Sequence, residues 1–175
     1  MKLFVIYVGG KTHNSYIEVH DMRFGVGNVL QDCYEDIKKQ WWGTEASLHV
    51  DCWAELHYAD GFDIELKEYP YEGAEKLYFI NLGGCDPAQF TELHENVFVV
   101  AEDESKAKIK ALKMISGWES PHKDNQLEVE TAICLNDMAR EKKFYIHLSK
   151  TNVAKPFTFT CEYLPIGRDA YSNSQ

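Results

Sequence analysis

One segment of the chain occurs twice. The run KLFVIYVGG begins at Lys2 and returns as KLYFINLGG at Lys76. The register continues without a gap, because nine of the 25 positions from 2 to 26 are identical to the positions 74 residues later. Such agreement predicts an internal duplication of one folding unit. It constrains the fold strongly, since each element predicted in the first copy needs a counterpart in the second.

Length and charge restrict what the protein binds. The chain has 175 residues, 45% of them hydrophobic, so it can bury one sizeable core or two small ones. Its formal net charge is −10 at pH 7, and nucleic acids or anionic membrane surfaces would therefore repel it. We expect a protein or small-molecule ligand as partner, no nucleic acid and no membrane. The oligomeric state stays open.

The sequence also indicates where the protein resides. The chain does not begin with a basic segment, an apolar run and a cleavage site, and no stretch has the length of a membrane span. The five cysteines are scattered and odd in number, which fits neither a disulfide framework nor a zinc knuckle. We therefore expect a cytoplasmic protein whose cysteines are mostly reduced core or strand residues.

Hydrophobic periodicity predicts the order strand, strand, helix, strand, strand in each copy. In the first copy these elements are residues 2–8, 16–24, 28–42, 48–56 and 62–66, and in the second they are 76–82, 90–100, 103–116, 127–135 and 144–148. The first helix is expected to begin at Asn28 and stop at Gly43, and the second to stop at Gly117. Gly61 is expected to turn the last two strands of the first copy into a hairpin.

The connections between strands are short, which favours antiparallel pairing over the long crossovers of a parallel sheet. The predicted class is α+β, with an internal duplication and a largely antiparallel sheet that carries one helix per copy. The predicted domains are a first repeat over 1–67, a linker over 68–75, a second repeat over 76–150, and an extra strand (157–164) with a polar C-terminal tail within 151–175. One continuous sheet and two closely packed subdomains both satisfy this pattern, and we favour the second.

The runs LFVIYVGG, IEVHD followed by Phe24, and LHVDCW at positions 48–53 resemble a bacterial family known as domain of unknown function family 1543. Members of that family carry one or two copies of the domain, so the resemblance implies a two-copy member that covers nearly all of the chain. The second copy departs from the pattern, because LEVETA at 127–132 replaces LHVDCW and lacks its His and Trp. The resemblance implies no catalytic residue and no reaction.

A Glu-x-His pair occurs in both copies, as Glu18 with His20 and as Glu92 with His94. Residues two apart on a strand share a face, so each pair can reach one ion. If the copies pair symmetrically, two carboxylates and two imidazoles would converge on a divalent transition metal such as zinc, manganese or iron. The alternative is a solvent-facing strand on which Glu and His form hydrogen bonds with each other.

Two further sets of residues are candidate ligand-binding sites. Paired glycines, Gly9 with Gly10 and Gly83 with Gly84, end the buried strands, where they either form a turn or present backbone N–H groups to an anion. The first copy also carries a polar strand face of alternating side chains: His49, Asp51, Trp53, Glu55 and His57. This face either binds a ligand or a partner protein, or is an ordinary solvated sheet face.

Hydrolase chemistry based on a serine or cysteine nucleophile has little support in the sequence. No Gly-x-Ser-x-Gly elbow occurs, and Cys33 and Cys52 lie on predicted inward faces. The sequence favours a non-enzymatic binding or regulatory protein that presents an acidic, aromatic sheet surface. The alternative is a small metal-binding protein or metal-dependent enzyme that uses the Glu-x-His pairs, with Asp51 or His49 as an added ligand or general base.

Overall fold

A computed structural model describes residues 1–85, 88–114 and 128–167 of the chain. In chain order the elements are β1 (Lys2–Gly10), β2 (Val19–Gly27), α1 (Tyr34–Gln40), β3 (His49–Glu55), β4 (Tyr58–Ala59), β5 (Phe62–Lys67), β6 (Lys76–Cys85), β7 (Glu92–Ala101), α2 (Glu104–Met114), β8 (Glu128–Cys134), α3 (Leu135–Glu141), β9 (Tyr145–Lys150) and β10 (Thr160–Pro165). The strand pairs in this part of the chain are antiparallel. The predicted α+β class with antiparallel sheets is therefore confirmed.

The chain divides into two compact units. Unit 1 comprises Met1–His57 and Pro156–Gln175, and unit 2 comprises Tyr58–Lys155. Unit 1 is thus built from two separate parts of the chain, and the second of these supplies β10. β4 and β5 fall in the first predicted repeat but belong to unit 2.

Unit 1 contains a four-stranded sheet with the strand order β10-β3-β1-β2. β1 lies inside this sheet and is apolar at nearly every position, as the sequence predicts for a strand covered on both faces. Its side chains Phe4, Ile6 and Val8 form a buried core with Leu30 and Ile37 from the helical segment. Burial of each such side chain stabilises the fold by about 1.5–3 kcal/mol.

The helix of unit 1 is shorter than predicted and has two parts. A 3-10 turn at Leu30–Cys33 leads into α1, and the carboxylate of Asp32 accepts a hydrogen bond from the backbone N–H of Asn28 at 2.8 Å. Asp32, and not the side chain of Asn28, therefore satisfies a free N–H group at this end. At the other end Trp41 is already extended, with ψ of 127°, so Gly43 does not end the helix.

β2 and β7 begin later than predicted. β2 starts at Val19, which pairs with Gly10 at the end of β1, and the preceding Tyr16 and Ile17 are exposed. β7 likewise starts at Glu92, opposite the end of β6. The length of the neighbouring strand sets these starts, because a strand needs backbone hydrogen bonds to a neighbour.

Unit 2 contains two three-stranded sheets, with strand orders β7-β6-β8 and β4-β5-β9. Tyr78, Ile80 and Leu82 of β6 are buried together with Ala107 and Ala111 of α2. Alternate residues of β6 thus face the helix. The two alanines are short, which lets α2 lie close to the sheet.

The hairpin at Gly61 joins different strands from those predicted. β5 pairs with β4 and not with β3, and its other neighbour is β9 from the second predicted repeat, with Glu65 opposite His147. Gly61 does turn the chain, because Asp60 (φ 52°) and Gly61 (φ 84°) connect β4 to β5. Two successive residues with positive φ are typical of a type I′ turn, whose twist suits a two-residue hairpin.

The segment between β8 and β9 contains α3, whereas the sequence analysis predicts no helix between the strands over 127–135 and 144–148. Its seven residues are too few to show helical periodicity. Leu135 and Ala139 are buried, and the side-chain oxygen of Asn136 accepts a hydrogen bond from the backbone N–H of Leu77 at 2.8 Å. The predicted extra strand is present as β10, which pairs with β3.

Three predictions lie outside the described residues: the stop of the second helix at Gly117, the strand start at position 127, and the tail from position 168. Within the described ranges, no helix combines the length and the apolar character needed to cross a membrane.

Candidate metal centre

Gly9 lies in β1 between two histidines on the neighbouring strands. It pairs with His20 of β2 and with His49 of β3. Directly opposed residues in antiparallel strands point to the same face, so both imidazoles project over Gly9. A Cβ atom on Gly9 would lie 2.7 Å from Nε2 of His49 and 2.8 Å from Oδ2 of Asp51. The missing side chain thus leaves space for three polar groups.

The sequence predicts that the two strands stop before the paired glycines, whereas in the structure the glycines are part of the strands. β1 runs to Gly10 and β6 runs past Gly84, so Gly9 and Gly83 also lie within strands. An anion-binding nest needs successive N–H groups on one side, whereas those of an extended strand alternate. The strand conformation therefore fits neither the turn nor the nest that the sequence suggested.

A β-bulge places Asp51 beside the two histidines. The pairing of β1 with β3 shifts register between Tyr7 and Val8, so Asp51 is an extra residue on β3. Such an insertion breaks the alternation of side chains along the bulged strand. Asp51 projects to the same face as His49, as its approach to Gly9 shows, and the alternation is broken beyond it, so that Trp53 faces the opposite side.

The bulge divides the predicted polar face of β3. His49 is buried on the side of Gly9, whereas Trp53 packs against the core on the opposite side of the sheet. Glu55 forms an ion pair with Lys2 at 2.6 Å, and His57 lies beyond the end of β3. The interpretation of these residues as one exposed surface is therefore wrong.

His49 is held in one orientation. Its side chain is 2% exposed, and Nδ1 lies 2.8 Å from the backbone carbonyl oxygen of Ser47. A carbonyl oxygen only accepts hydrogen bonds, so Nδ1 donates and carries a hydrogen. Nε2 then faces Oδ1 of Asp51 at 3.3 Å and Oε2 of Glu18 at 3.9 Å. Metal-binding histidines are commonly held in this way through the ring nitrogen that does not bind the metal.

Asp51 lies between the two imidazoles. Its Oδ2 is 3.4 Å from Nε2 of His20 and is buried without a hydrogen-bond partner among the described residues. Such burial of a carboxylate oxygen is costly, which marks a place for a cation. Tyr7 stacks on His20 with ring centroids 5.2 Å apart, and burial, followed by the charge of Asp51, raises the pKa of its phenol. That phenol is therefore protonated at neutral pH.

Glu18, His20 and His49 offer ligand atoms that all lie within 4.8 Å of one another. Together with Asp51, these residues form the Gly9 cluster. Tyr163 of β10 covers His49, with ring centroids 4.4 Å apart, whereas the side chain of Glu18 is 44% exposed. The cluster can therefore hold one cation that is enclosed by protein on one side and open to solvent on the other.

Unit 2 contains a second cluster in which a histidine and carboxylates are arranged around a strand glycine in a similar way. Gly83 pairs with His94 of β7, and a register shift in the pairing of β6 with β8 makes Glu130 an extra residue on β8. Nδ1 of His94 is 3.2 Å from Oε2 of Glu130, and Nε2 is 3.8 Å from Oε2 of Glu92. Glu92, His94 and Glu130 form the Gly83 cluster. Its imidazole is 45% exposed, in contrast to the buried His49.

Each predicted Glu-x-His pair lies in one of these clusters. Each pair has further ligand candidates inside its own unit: His49 and Asp51 in unit 1, and Glu130 in unit 2. Convergence of both pairs on a single ion stays a prediction. Sequence reasoning missed Glu130, although the alignment of LEVETA with LHVDCW places it at the position of Asp51.

The fold and the clusters define a class of two-unit α+β protein, in which a glycine on a central strand leaves room for histidine and carboxylate side chains. Residues 15–66 match the model of the family described as Domain of Unknown Function (DUF1543), so this segment of the chain is similar to that family. The matched range contains all four residues of the Gly9 cluster.

A solved structure is similar to nearly the whole chain. It is the crystal structure of a protein Il1583 from Idiomarina loihiensis, and the similarity covers 95% of this chain and 98% of that chain. The sequence identity is 29% and the TM-score is 0.71. A comparison with curated proteins found no match. The family and the solved structure thus support the fold, and neither description includes an activity.

Proposed function

We propose that the protein binds a divalent transition metal ion at the Gly9 cluster. The observation that carries this proposal is the orientation of His49, which is buried, held at Nδ1 by a backbone carbonyl, and directed through Nε2 at Asp51 and Glu18. Carboxylates that are partly removed from water beside an imidazole need a positive charge nearby. A metal ion bound between them supplies that charge.

The distances suit tetrahedral coordination after small movements. Bonds of about 2.0–2.1 Å to zinc place neighbouring ligand atoms about 3.3 Å apart. Nε2 of His49 is 3.3 Å from Oδ1 of Asp51, and Nε2 of His20 is 3.4 Å from Oδ2. Oε2 of Glu18 is farther from His49, at 3.9 Å, and its half-exposed side chain is free to approach.

The ligand types narrow the choice of ion. Two imidazoles with two carboxylates suit zinc, manganese or iron, whereas calcium and magnesium prefer oxygen ligands. The net charge of −10 attracts cations in general. The phenol of Tyr7, protonated at neutral pH and stacked on His20, lies beside the cluster. It is available to donate a hydrogen bond to water or an anion on the metal.

We also propose that the two clusters descend from one duplicated unit. The identities between positions 2–26 and 76–100 support this, as do register shifts at aligned positions, Tyr7 to Val8 in β1 and Asn81 to Leu82 in β6. The Gly83 cluster has a single imidazole and is more exposed. We therefore expect it to bind the same ions more weakly.

The metal proposal is tested by calorimetric titration of untagged, chelator-treated protein with zinc, manganese(II) and iron(II) salts. We expect the wild type to have one stronger and one weaker site for at least one of these ions. His49→Gln and His20→Gln should weaken the stronger site at least about tenfold. His57→Gln is the matched control, because this histidine belongs to the same unit and lies outside the cluster.

Two results would contradict the metal proposal: a wild type that binds none of the three ions, or variants that bind them as the wild type does. Circular dichroism of each variant checks that the fold is retained. His20→Gln keeps the test decisive if the buried His49 cannot be replaced, since the side chain of His20 is 35% exposed.

A groove beside Trp53 supports a second candidate function, the binding of a small molecule. Trp53, His57 and Phe159 are among the residues that line it, and Nε1 of Trp53 is buried without an acceptor among the described residues. A ligand that offers an oxygen to this N–H would satisfy it. A thermal-shift screen should find a compound that stabilises the wild type and not Trp53→Phe. A compound that stabilises both equally would place its site elsewhere.

We further propose a cytoplasmic location. The cysteines of the sequence support it, because they are scattered and odd in number and do not form the disulfide framework that is typical of small secreted proteins.

A further inference from the structure

Two cysteines face each other across the pairing of β3 with β10. Cys161 lies directly opposite Cys52 in the strand register, and their Sγ atoms are 2.8 Å apart. Directly opposed residues of antiparallel strands have Cα atoms about 4.5–5.5 Å apart, which lies within the range that a disulfide spans. The register alone therefore places the backbone for a bond between these residues.

The two thiols differ in exposure. Cys161 is exposed on β10, and Cys52 is half-buried. The more exposed thiol meets a reagent from solution first, so Cys161 reacts first and Cys52 reacts second.

We propose that Cys52 and Cys161 form a reversible disulfide that links β10 covalently to β3. The oxidant is a low-molecular-weight disulfide, of which oxidised glutathione is an example. The thiolate of Cys161 attacks one of its sulfurs, which forms a mixed disulfide and releases one small thiol. The thiolate of Cys52 then attacks Sγ of Cys161 and releases the second small thiol. The protein loses two protons and two electrons, and the small disulfide is reduced to two thiols.

The position of β10 gives this bond a structural effect. β10 lies at the edge of its sheet, and its pairing with β3 is interrupted by a register shift between Cys161 and Leu164. Tyr163, within this irregular stretch, covers His49. A disulfide at Cys161 would fix β10 to β3 at a point only two residues before Tyr163. The disulfide does not rest on the metal proposal, because neither thiol belongs to the Gly9 cluster.

The test exposes the reduced, full-length protein to glutathione buffers of increasing oxidised fraction, followed by alkylation of the remaining thiols and mass spectrometry. We expect the wild type to lose two alkylatable thiols and to yield one cross-linked peptide pair that contains Cys52 and Cys161. Cys161→Ser should yield no cross-link. Cys52→Ser should retain a glutathione adduct on Cys161, because the second attack cannot occur. Cys134→Ser, in unit 2, is the matched control and should form the cross-link normally.

The proposal is overturned if the folded wild type forms no cross-link at any glutathione ratio. A cross-link that joins other cysteines, or the loss of two thiols from Cys161→Ser, would also overturn it. The metal titration is read independently, since it uses fully reduced protein. Failure of one proposal is therefore distinguishable from failure of the other.

Discussion

The Gly9 cluster has room for its side chains because glycine has no Cβ atom. His49 cannot move away from Gly9 easily, because its side chain is buried and Nδ1 is held by the carbonyl of Ser47. Asp51 is equally restricted, since the bulge sets the direction in which its side chain projects. Any side chain at Gly9 would therefore compete directly with the candidate ligand atoms.

Gly9→Ala should weaken metal binding at the Gly9 cluster about 10- to 100-fold. The new Cβ atom would lie 2.7 Å from Nε2 of His49, closer than unbonded atoms normally approach, so the imidazole must shift. The calorimetric titration measures this loss. Gly83→Ala is the matched control and should affect only the weaker site in unit 2. Unchanged binding by Gly9→Ala would show that Nε2 of His49 is not a ligand.

Tyr78 makes unit 2 sensitive to alkaline pH. Its ring is buried in the core, and burial, followed by the proximity of Cys134, raises its pKa to about 12 from an ordinary value of 10. The folded state therefore holds the phenolic proton more tightly than the unfolded state. The resulting stabilisation is complete below pH 10 and is lost as the pH rises to 12.

Tyr78→Phe should remove this sensitivity. Between pH 9 and pH 11 the wild type should lose about 1 kcal/mol more of its free energy of unfolding than the variant does. Phe4 occupies the aligned position in β1, which indicates that phenylalanine fits such a site. Urea unfolding at both pH values measures the difference. Equal losses in the two proteins would mean that the pKa of Tyr78 is the same in the folded and unfolded states.

Residue types in the candidate site are easier to predict from sequence than the direction of their side chains. Glu18 and His20 are predicted as ligands because they are two apart on a strand. Strict alternation predicts that His49, Asp51 and Trp53 share one polar face, and the bulge overturns that prediction for Trp53, which packs against the core. The position of the bulge depends on the pairing of β1 with β3, which no local pattern in β3 encodes.

The helices and strands also differ in how well the sequence predicts them. β1 and β6 are predicted well, because an apolar run that stops at paired glycines is a strong local signal. The partner of β5 is not predicted, since strand pairing is a long-range choice between faces of similar composition. α3 is missed because seven residues span too few turns, and the first helix is predicted too long because apolar spacing continues to Trp41.

The β4–β5 turn offers a direct test at the level of an element. Gly61 has a φ of 84°, and a Cβ atom there would meet only the carbonyl oxygen of Thr151, at 4.0 Å. Gly61→Ala should therefore destabilise the protein through its backbone conformation alone, by about 1 kcal/mol. Gly61→Asn should cost less, because asparagine tolerates positive φ. Urea unfolding compares both variants with the wild type, and equal costs would contradict this explanation.

Asp60 in the same turn connects the two sheets of unit 2. Its carboxylate accepts a hydrogen bond from the backbone N–H of Val100 in β7 at 2.7 Å and pairs with Lys110 of α2 at 2.5 Å. The β4–β5 turn therefore contacts β7 and α2 as well as the two strands that it connects. This contact and the pairing of β5 with β9 explain why β4 and β5 belong to unit 2, although they precede the predicted linker.

For the whole molecule, the Cys52–Cys161 disulfide would close a long loop in the unfolded chain. The two residues are 109 positions apart, and closing a loop of that size lowers the entropy of the unfolded state. The oxidised protein should therefore exceed the reduced protein in free energy of unfolding by about 3–5 kcal/mol. Urea unfolding with and without reductant measures this. Cys161→Ser should show no such difference, and equal midpoints for both wild-type forms would contradict the loop-closure argument.

The division of unit 1 into two chain segments sets the order in which a ribosome can complete it. β1, β2 and β3 emerge early, whereas β10 emerges only after all of unit 2 has been synthesised. Until then β3 is an open sheet edge, and His49 has no tyrosine over its ring. A nascent chain therefore carries an incomplete Gly9 cluster for most of its synthesis, and the cluster is covered only when β10 emerges.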